Sequence, residues 1–208
     1  RSTLFPYTTL FRSERWDIEK WGKILVARCV VKLGPFFPSG DDGQVTNYVF
    51  ANTVKCPRTG GPVPLSPNWW LDTSSKKVAV RVEPVWAADG APAHLDFRLE
   101  VGPDFKSDPY QGTVAQGDAV SPWDGRVVDG DHIKDEAGAG RMWPTLYAVV
   151  CSKPRASGRG EHQYFRPPTQ TDLDALDAAQ AELDRLLPIW EADNVLPTEE
   201  FPPPIPSV

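Results

Sequence analysis

The chain has 208 residues, a formal net charge of −6 and 40% hydrophobic residues. That suits one domain, at most two, and the acidity argues against a free-standing nucleic-acid binder, because phosphate contacts draw on lysine and arginine. Three widely spaced cysteines, Cys29, Cys56 and Cys151, argue against a disulfide scaffold. No run of about eighteen apolar residues reads as a membrane span. No basic segment followed by an apolar core reads as a secretion signal, so a cytoplasmic setting is expected.

In chain order, residues 1–13 resemble a translated sequencing-adapter read-through and are set aside, a short aromatic strand being the alternative. Residues 14–43 read as helix and loop. Ile18, Trp21, Leu25 and Cys29 recur at helical spacing, which predicts a helix over Arg15–Leu33 with Cys29 near its buried face, ended by Gly34-Pro35. Residues 44–151 read as a β module. Val45–Val54 fits a strand or a short helix, with Tyr48, Val49 and Phe50 buried in either case. Val78, Val80 and Val82 alternate with polar residues, as do Leu95, Phe97 and Leu99, which predicts a hairpin. Val127–Gly140 reads as a polar, glycine-rich loop, and Met142–Val150 as a strand. Residues 152–193 read as a basic loop and a helix capped at Thr169 or Thr171, with Leu176, Ala179, Leu183, Leu186 and Trp190 on one face. Residues 194–208 form a proline-rich tail, and the fragment is expected to be truncated.

Two stretches of the β module match each other. Cys56-Pro57-Arg58-Thr59-Gly60 aligns with Ser121-Pro122-Trp123-Asp124-Gly125, each an x-P-x-x-G turn between extended segments. That is the shape of half a zinc ribbon, in which both ligand positions of each turn would be Cys or His. Here the four positions hold Cys56, Thr59, Ser121 and Asp124. A Thr or Ser hydroxyl is too weakly acidic to serve a structural zinc, so Cys56 and Asp124 alone could ligate, and no metal is expected. The expected hold on the turns is apolar packing around Trp69, Trp70 and Trp123.

Other chemistry is not supported. His94, His132 and His162 lack the spacing of a helical metal pair. No G-x-S-x-G elbow, phosphate-cradling glycine loop or placed carboxylate pair is present. No catalytic residue and no cofactor-binding residue is assigned.

The order of these features resembles the DUF1156-containing, zinc-ribbon-bearing adenine-specific DNA methylases. The resemblance rests on Trp21–Pro38, Ala51–Pro57, Gly61–Leu71 with its tryptophan pair, Gly138–Val150 and Tyr164–Leu173. It implies an α+β fold: a degenerate ribbon-like β-hairpin module flanked by helices, inserted in a Rossmann-like methyltransferase. The parent enzyme would use S-adenosylmethionine; the fragment would hold none. The family's catalytic Asn/Asp-Pro-Pro-Tyr motif and cofactor loop do not occur in this chain, so the fragment is expected to be inactive alone. Its implied partners are the missing methyltransferase domain and, through the parent, DNA. Lys55, Arg58, Lys76, Lys77, Lys153, Arg155 and Arg159 are the candidate phosphate contacts. Trp69, Trp70 and Trp123 could stack on a displaced base, though burial in the core is the simpler reading. The alternative is a structural or protein-interaction module without nucleic-acid contact.

Overall fold

The structure is a computed structural model that describes residues 7–40, 43–74, 76–155 and 158–197, with side chains from Asp17 onward. It is a mixed α+β fold. In chain order the elements are α1 (Tyr7–Leu33), β1 (Ser39–Gly40), β2 (Gly43–Lys55), β3 (Pro62–Leu65), β4 (Trp70–Asp72), β5 (Val78–Trp86), β6 (Pro92–Val101), β7 (Val114–Ala115), β8 (Asp118–Val120), β9 (Val127–Val128), α2 (Gly130–Gly138), β10 (Trp143–Pro154), β11 (Glu161–Arg166) and α3 (Gln170–Ala192). The chain divides into two compact units, residues 39–169 and residues 1–38 with 170–208.

In the helical unit, α1 starts earlier than its periodicity suggests, so residues 7–13 are helical rather than a strand. Residues 1–6, which carry the rest of that expectation, and residues 198–208 of the tail lie outside the described residues. The expected buried face of α1 is not buried. Ile18, Trp21 and Leu25 are 72%, 62% and 64% exposed, and Cys29 is exposed too. Helical spacing defines an apolar stripe, but burial also needs an element laid across it. On α3 the inward face is anchored by Asp172 and Ala175, both buried; Leu176, Ala179, Leu186 and Trp190 are half-buried and Leu183 is exposed. Pro188 removes one N–H donor, yet the helix continues to Ala192.

Among the described residues the β unit has three antiparallel sheets. The largest runs β1-β2-β10-β11, with β3 added on β2. β2 is a strand throughout, and its buried residues are Val45, Ala51, Thr53 and Val54. Tyr48 and Val49 are half-buried, while Phe50 is 42% exposed, against expectation. Alternation explains the difference: Phe50 and Asn52 lie on the opposite face of β2 from Val49, Ala51 and Thr53. The second sheet, β4-β5-β6, contains the expected hairpin, with Val80 opposite Leu99 and Val82 opposite Phe97. Those residues meet Ala51, Trp69, Tyr147 and Ala148 in one apolar core.

The small third sheet, β7-β8-β9, contributes to a second core of Val54, Cys56, Val63, Ala119 and Val128. Ile133 of α2 packs against it. The sequence reading treats this helix as loop, yet it carries a cap: Asp129 accepts a hydrogen bond from the Asp131 N–H at 2.8 Å. Among the described residues no helix is long and apolar enough to cross a membrane.

Candidate functional site

The two matched turns adopt the same backbone. In the first, the Gly60 N–H donates to the Cys56 carbonyl at 2.9 Å and the Cys56 N–H to the Gly61 carbonyl at 2.8 Å. In the second, the Gly125 N–H donates to the Ser121 carbonyl at 3.0 Å and the Ser121 N–H to the Arg126 carbonyl at 2.9 Å. Gly60 and Gly125 sit at φ of 72° and 68°, which glycine adopts without strain. The equivalence reaches the side chains. The Gly61 N–H donates to the Thr59 hydroxyl at 3.3 Å, and the Arg126 N–H to the Asp124 carboxylate at 3.1 Å.

The structure brings all four ligand-like positions together. Burial pushes the Cys56 thiol up, but hydrogen bonds from Thr59, the Arg58 backbone and Ser121 outweigh it, and the net shift is down. The Ser121 hydroxyl also reaches Asp124, and its single proton serves one of the two neighbours at a time. Arg58 closes the group. Its Nε and Nη2 donate to the two Asp124 oxygens at 2.8 Å and 3.2 Å, and its Nη1 to the Val127 carbonyl at 3.0 Å. The Arg58 guanidinium holds the Asp124 carboxyl far below the usual carboxylate range, against a weaker opposing push from burial.

These residues do not fit a structural zinc. They offer one thiol, two hydroxyls, and a carboxylate whose two oxygens are already engaged by a cation. Among the described residues no group of three or more His, Cys, Asp and Glu side chains gathers at one point. Trp123 secures the join instead. Its indole N–H donates to the Pro62 carbonyl at 2.7 Å, and its ring lies where a Cβ at Gly61 would sit, 2.5 Å away. Trp86 packs edge-on against it at 5.1 Å.

The candidate phosphate contacts fall into two groups. Lys55 and Arg58 are at the paired turns, where Arg58 is bound to Asp124 and Lys55 lies within electrostatic reach of Glu136. Lys153, Arg155 and Arg159 are at the β10–β11 tip, and Lys76 joins them from the β4–β5 loop, with Lys77 beside it. There the Lys76 ammonium donates to His162 Nε2 at 2.9 Å, which leaves the ring proton on Nδ1. The Lys153 ammonium lies 5.4 Å from the Tyr164 ring centre, and His162 stacks on that ring at 6.4 Å. Arg155 donates to the Glu161 carbonyl at 3.0 Å, and Arg159 is exposed. Among the described residues, Glu161 and Asp72 are nearby in the chain; the latter feels Lys76 but is engaged first by Ser74. His162 and Tyr164 are absent from the sequence-based set. Their signal is alternation: both lie on the same face of β11.

Of the three tryptophans, Trp69 and Trp123 are each 6% exposed and belong to the core, whereas Trp70 is half-buried. S-adenosylmethionine in a Rossmann-like domain sits at a parallel β-α-β crossover. The strand pairings among the described residues are antiparallel, so no such crossover occurs among them. Comparison with protein-family models, with curated proteins and with solved structures finds no match for this chain.

Proposed function

We propose that the chain is an accessory, DNA-contacting module of a DNA adenine methyltransferase, related to the ribbon-bearing insert of the DUF1156-containing methylases and without an active site of its own. The observation that carries this reading is the convergence of Cys56, Thr59, Ser121 and Asp124 from two turns of identical hydrogen bonding. A ribbon that has exchanged its metal for an ion pair accounts for both the shape and the residues. S-adenosylmethionine and the methyl-transfer chemistry belong, on this reading, to the parent's methyltransferase domain. DNA contact is supported by the basic β10–β11 tip, where Lys76 donates to the His162 imidazole and Lys153 lies over the Tyr164 ring.

The test is a salt series of duplex-DNA binding, followed by fluorescence anisotropy. Affinity should fall steeply as salt rises. The double variant Lys76→Ala, Lys153→Ala should weaken binding to all sequences alike and flatten the logarithmic salt slope by about 2. Absence of salt-dependent binding would sink DNA contact and favour a second reading, a protein-interaction module. That reading draws on the net charge of −6 and on the exposed Ile18, Trp21 and Leu25 of α1.

A further inference from the structure

We infer that a groove in the β unit seats one unpaired nucleobase, an inference that rests on the DNA-contact reading above. The groove has a volume of about 390 Å³ and is walled by Phe50 and Asn52 of β2, Asn68 before β4, Trp70 of β4 and Tyr147 of β10. That volume lies within the range of small-ligand sites. Among the described residues no charged side chain lines it. It therefore suits a neutral, polar ring better than a phosphate.

Two of the walls, Tyr147 and Trp70, are fixed from behind. Tyr147 is 8% exposed, held edge-on to Trp69 at 5.4 Å and tilted against Phe97 at 5.9 Å. Burial pushes its phenol up, so it stays a neutral hydroxyl. Trp70 is held by Phe105 and Tyr110, edge-on at 5.0 Å and 5.4 Å. Its indole N–H is buried and has no hydrogen-bond partner among the described residues, a condition that normally marks a missing acceptor. The Asn68 side-chain oxygen accepts from the Trp70 backbone N–H at 3.1 Å, which leaves the amide's NH₂ as a donor. Asn52 and Phe50 are exposed on the outward face of β2.

An exposed aromatic plane, two carboxamides and a buried phenol offer stacking together with adjacent donors and acceptors. A nucleobase presents the complementary set: a flat face, and edges that a carboxamide can pair with twice. In a duplex those faces and edges are covered, so the occupant is an unpaired base. The groove is also tied to the basic tip. Tyr147 and Lys153 lie on the same strand six residues apart, roughly 20 Å along β10. A short single strand could place a base in the groove and phosphates at the tip.

The experiment compares three oligonucleotides of equal length: a single strand, its duplex, and an abasic single strand with the same phosphates. The single strand should bind roughly tenfold more tightly than the abasic strand. Phe50→Ala with Asn52→Ala should abolish that preference while leaving duplex and abasic binding unchanged; both side chains are exposed, and a matched thermal melt confirms folding. Lys76→Ala with Lys153→Ala should weaken all three. Equal binding of normal and abasic strands would overturn the groove and leave the DNA-contact reading standing. No binding of any oligonucleotide would overturn both. A saccharide or peptide that binds with loss in the Phe50/Asn52 variant, where no base does, would also overturn the assignment.

Discussion

The paired turns and the β10–β11 tip both carry cations, and the fold gives them different kinds of partner. At the turns Arg58 donates to both oxygens of Asp124 and to the Val127 carbonyl, so its charge is answered within the chain. At the tip Lys76 meets an imidazole, Lys153 a phenol ring and Arg155 a backbone carbonyl. A carboxylate answers the charge of Arg58, whereas the imidazole orients the Lys76 ammonium without cancelling its charge. The same residue types, counted from the sequence as one set, thus separate by their partners.

The largest expected effect comes from converting the turns back to a metal site. Thr59→Cys, Ser121→Cys and Asp124→Cys together with Cys56 should bind one zinc per chain, because the four positions already converge. Closing a four-thiolate shell contributes about 10 kcal/mol or more of apparent folding energy at neutral pH. The variant's melt should collapse on chelation, whereas the parent chain's should not move. Failure of the variant to take up zinc would mean that the turns do not face each other. A stoichiometric zinc in the parent chain would overturn the ion-pair account of the join.

Next in size is Trp123. It is 6% exposed, packs on Gly61, donates to the Pro62 carbonyl and supports Trp86. Trp123→Ala should cost about 3–5 kcal/mol, the range for buried aromatic truncations. The half-exposed Trp70 should cost less when truncated. Urea midpoints of the two variants check the order; a smaller loss at Trp123 would mean that the join does not depend on this ring.

How much of this was legible in the sequence follows from what each pattern encodes. Alternation of Val78, Val80 and Val82 encodes a half-buried strand, and the β5–β6 hairpin is there. The repeated x-P-x-x-G encodes turn geometry, and the two turns match bond for bond. Helical spacing of Ile18, Trp21 and Leu25 encodes a stripe but not what covers it, and the stripe is exposed. The polar composition of 130–138 hid α2, although Asp129 was a readable cap. Cys56 and Asp124 were legible as the ligand-capable pair, but the link from Arg58 to Asp124 was not. It spans 66 residues in sequence, and no local pattern ties a lone arginine to one carboxylate among many. The groove was illegible for the same reason: its walls come from β2, β4 and β10.

The smallest effect expected concerns the Arg58–Asp124 pair itself, and its sign can be worked out. Arg58 lowers the folded carboxyl of Asp124 below its ordinary value, which in an unfolded chain is about 3.9. A carboxylate depressed on folding contributes stability that is fully present above the unfolded value. That contribution is lost as pH falls from there through the lower folded value. The pair is partly solvent-exposed, with side-chain accessibilities of 33% and 21%, so salt screens it and the effect stays well below that of Trp123→Ala. Other carboxylates titrate in the same window. The measurement is therefore a double-mutant cycle of Arg58→Ala and Asp124→Asn, followed by urea midpoint at pH 7 and at about pH 3. Favourable coupling should appear at pH 7 and shrink at the acid end, while the Lys76→Ala, Lys153→Ala variant should show no comparable loss of stability at either pH. Zero coupling at pH 7, or coupling undiminished in acid, would mean that the hydroxyl–thiol contacts and Trp123 hold the turns without the ion pair.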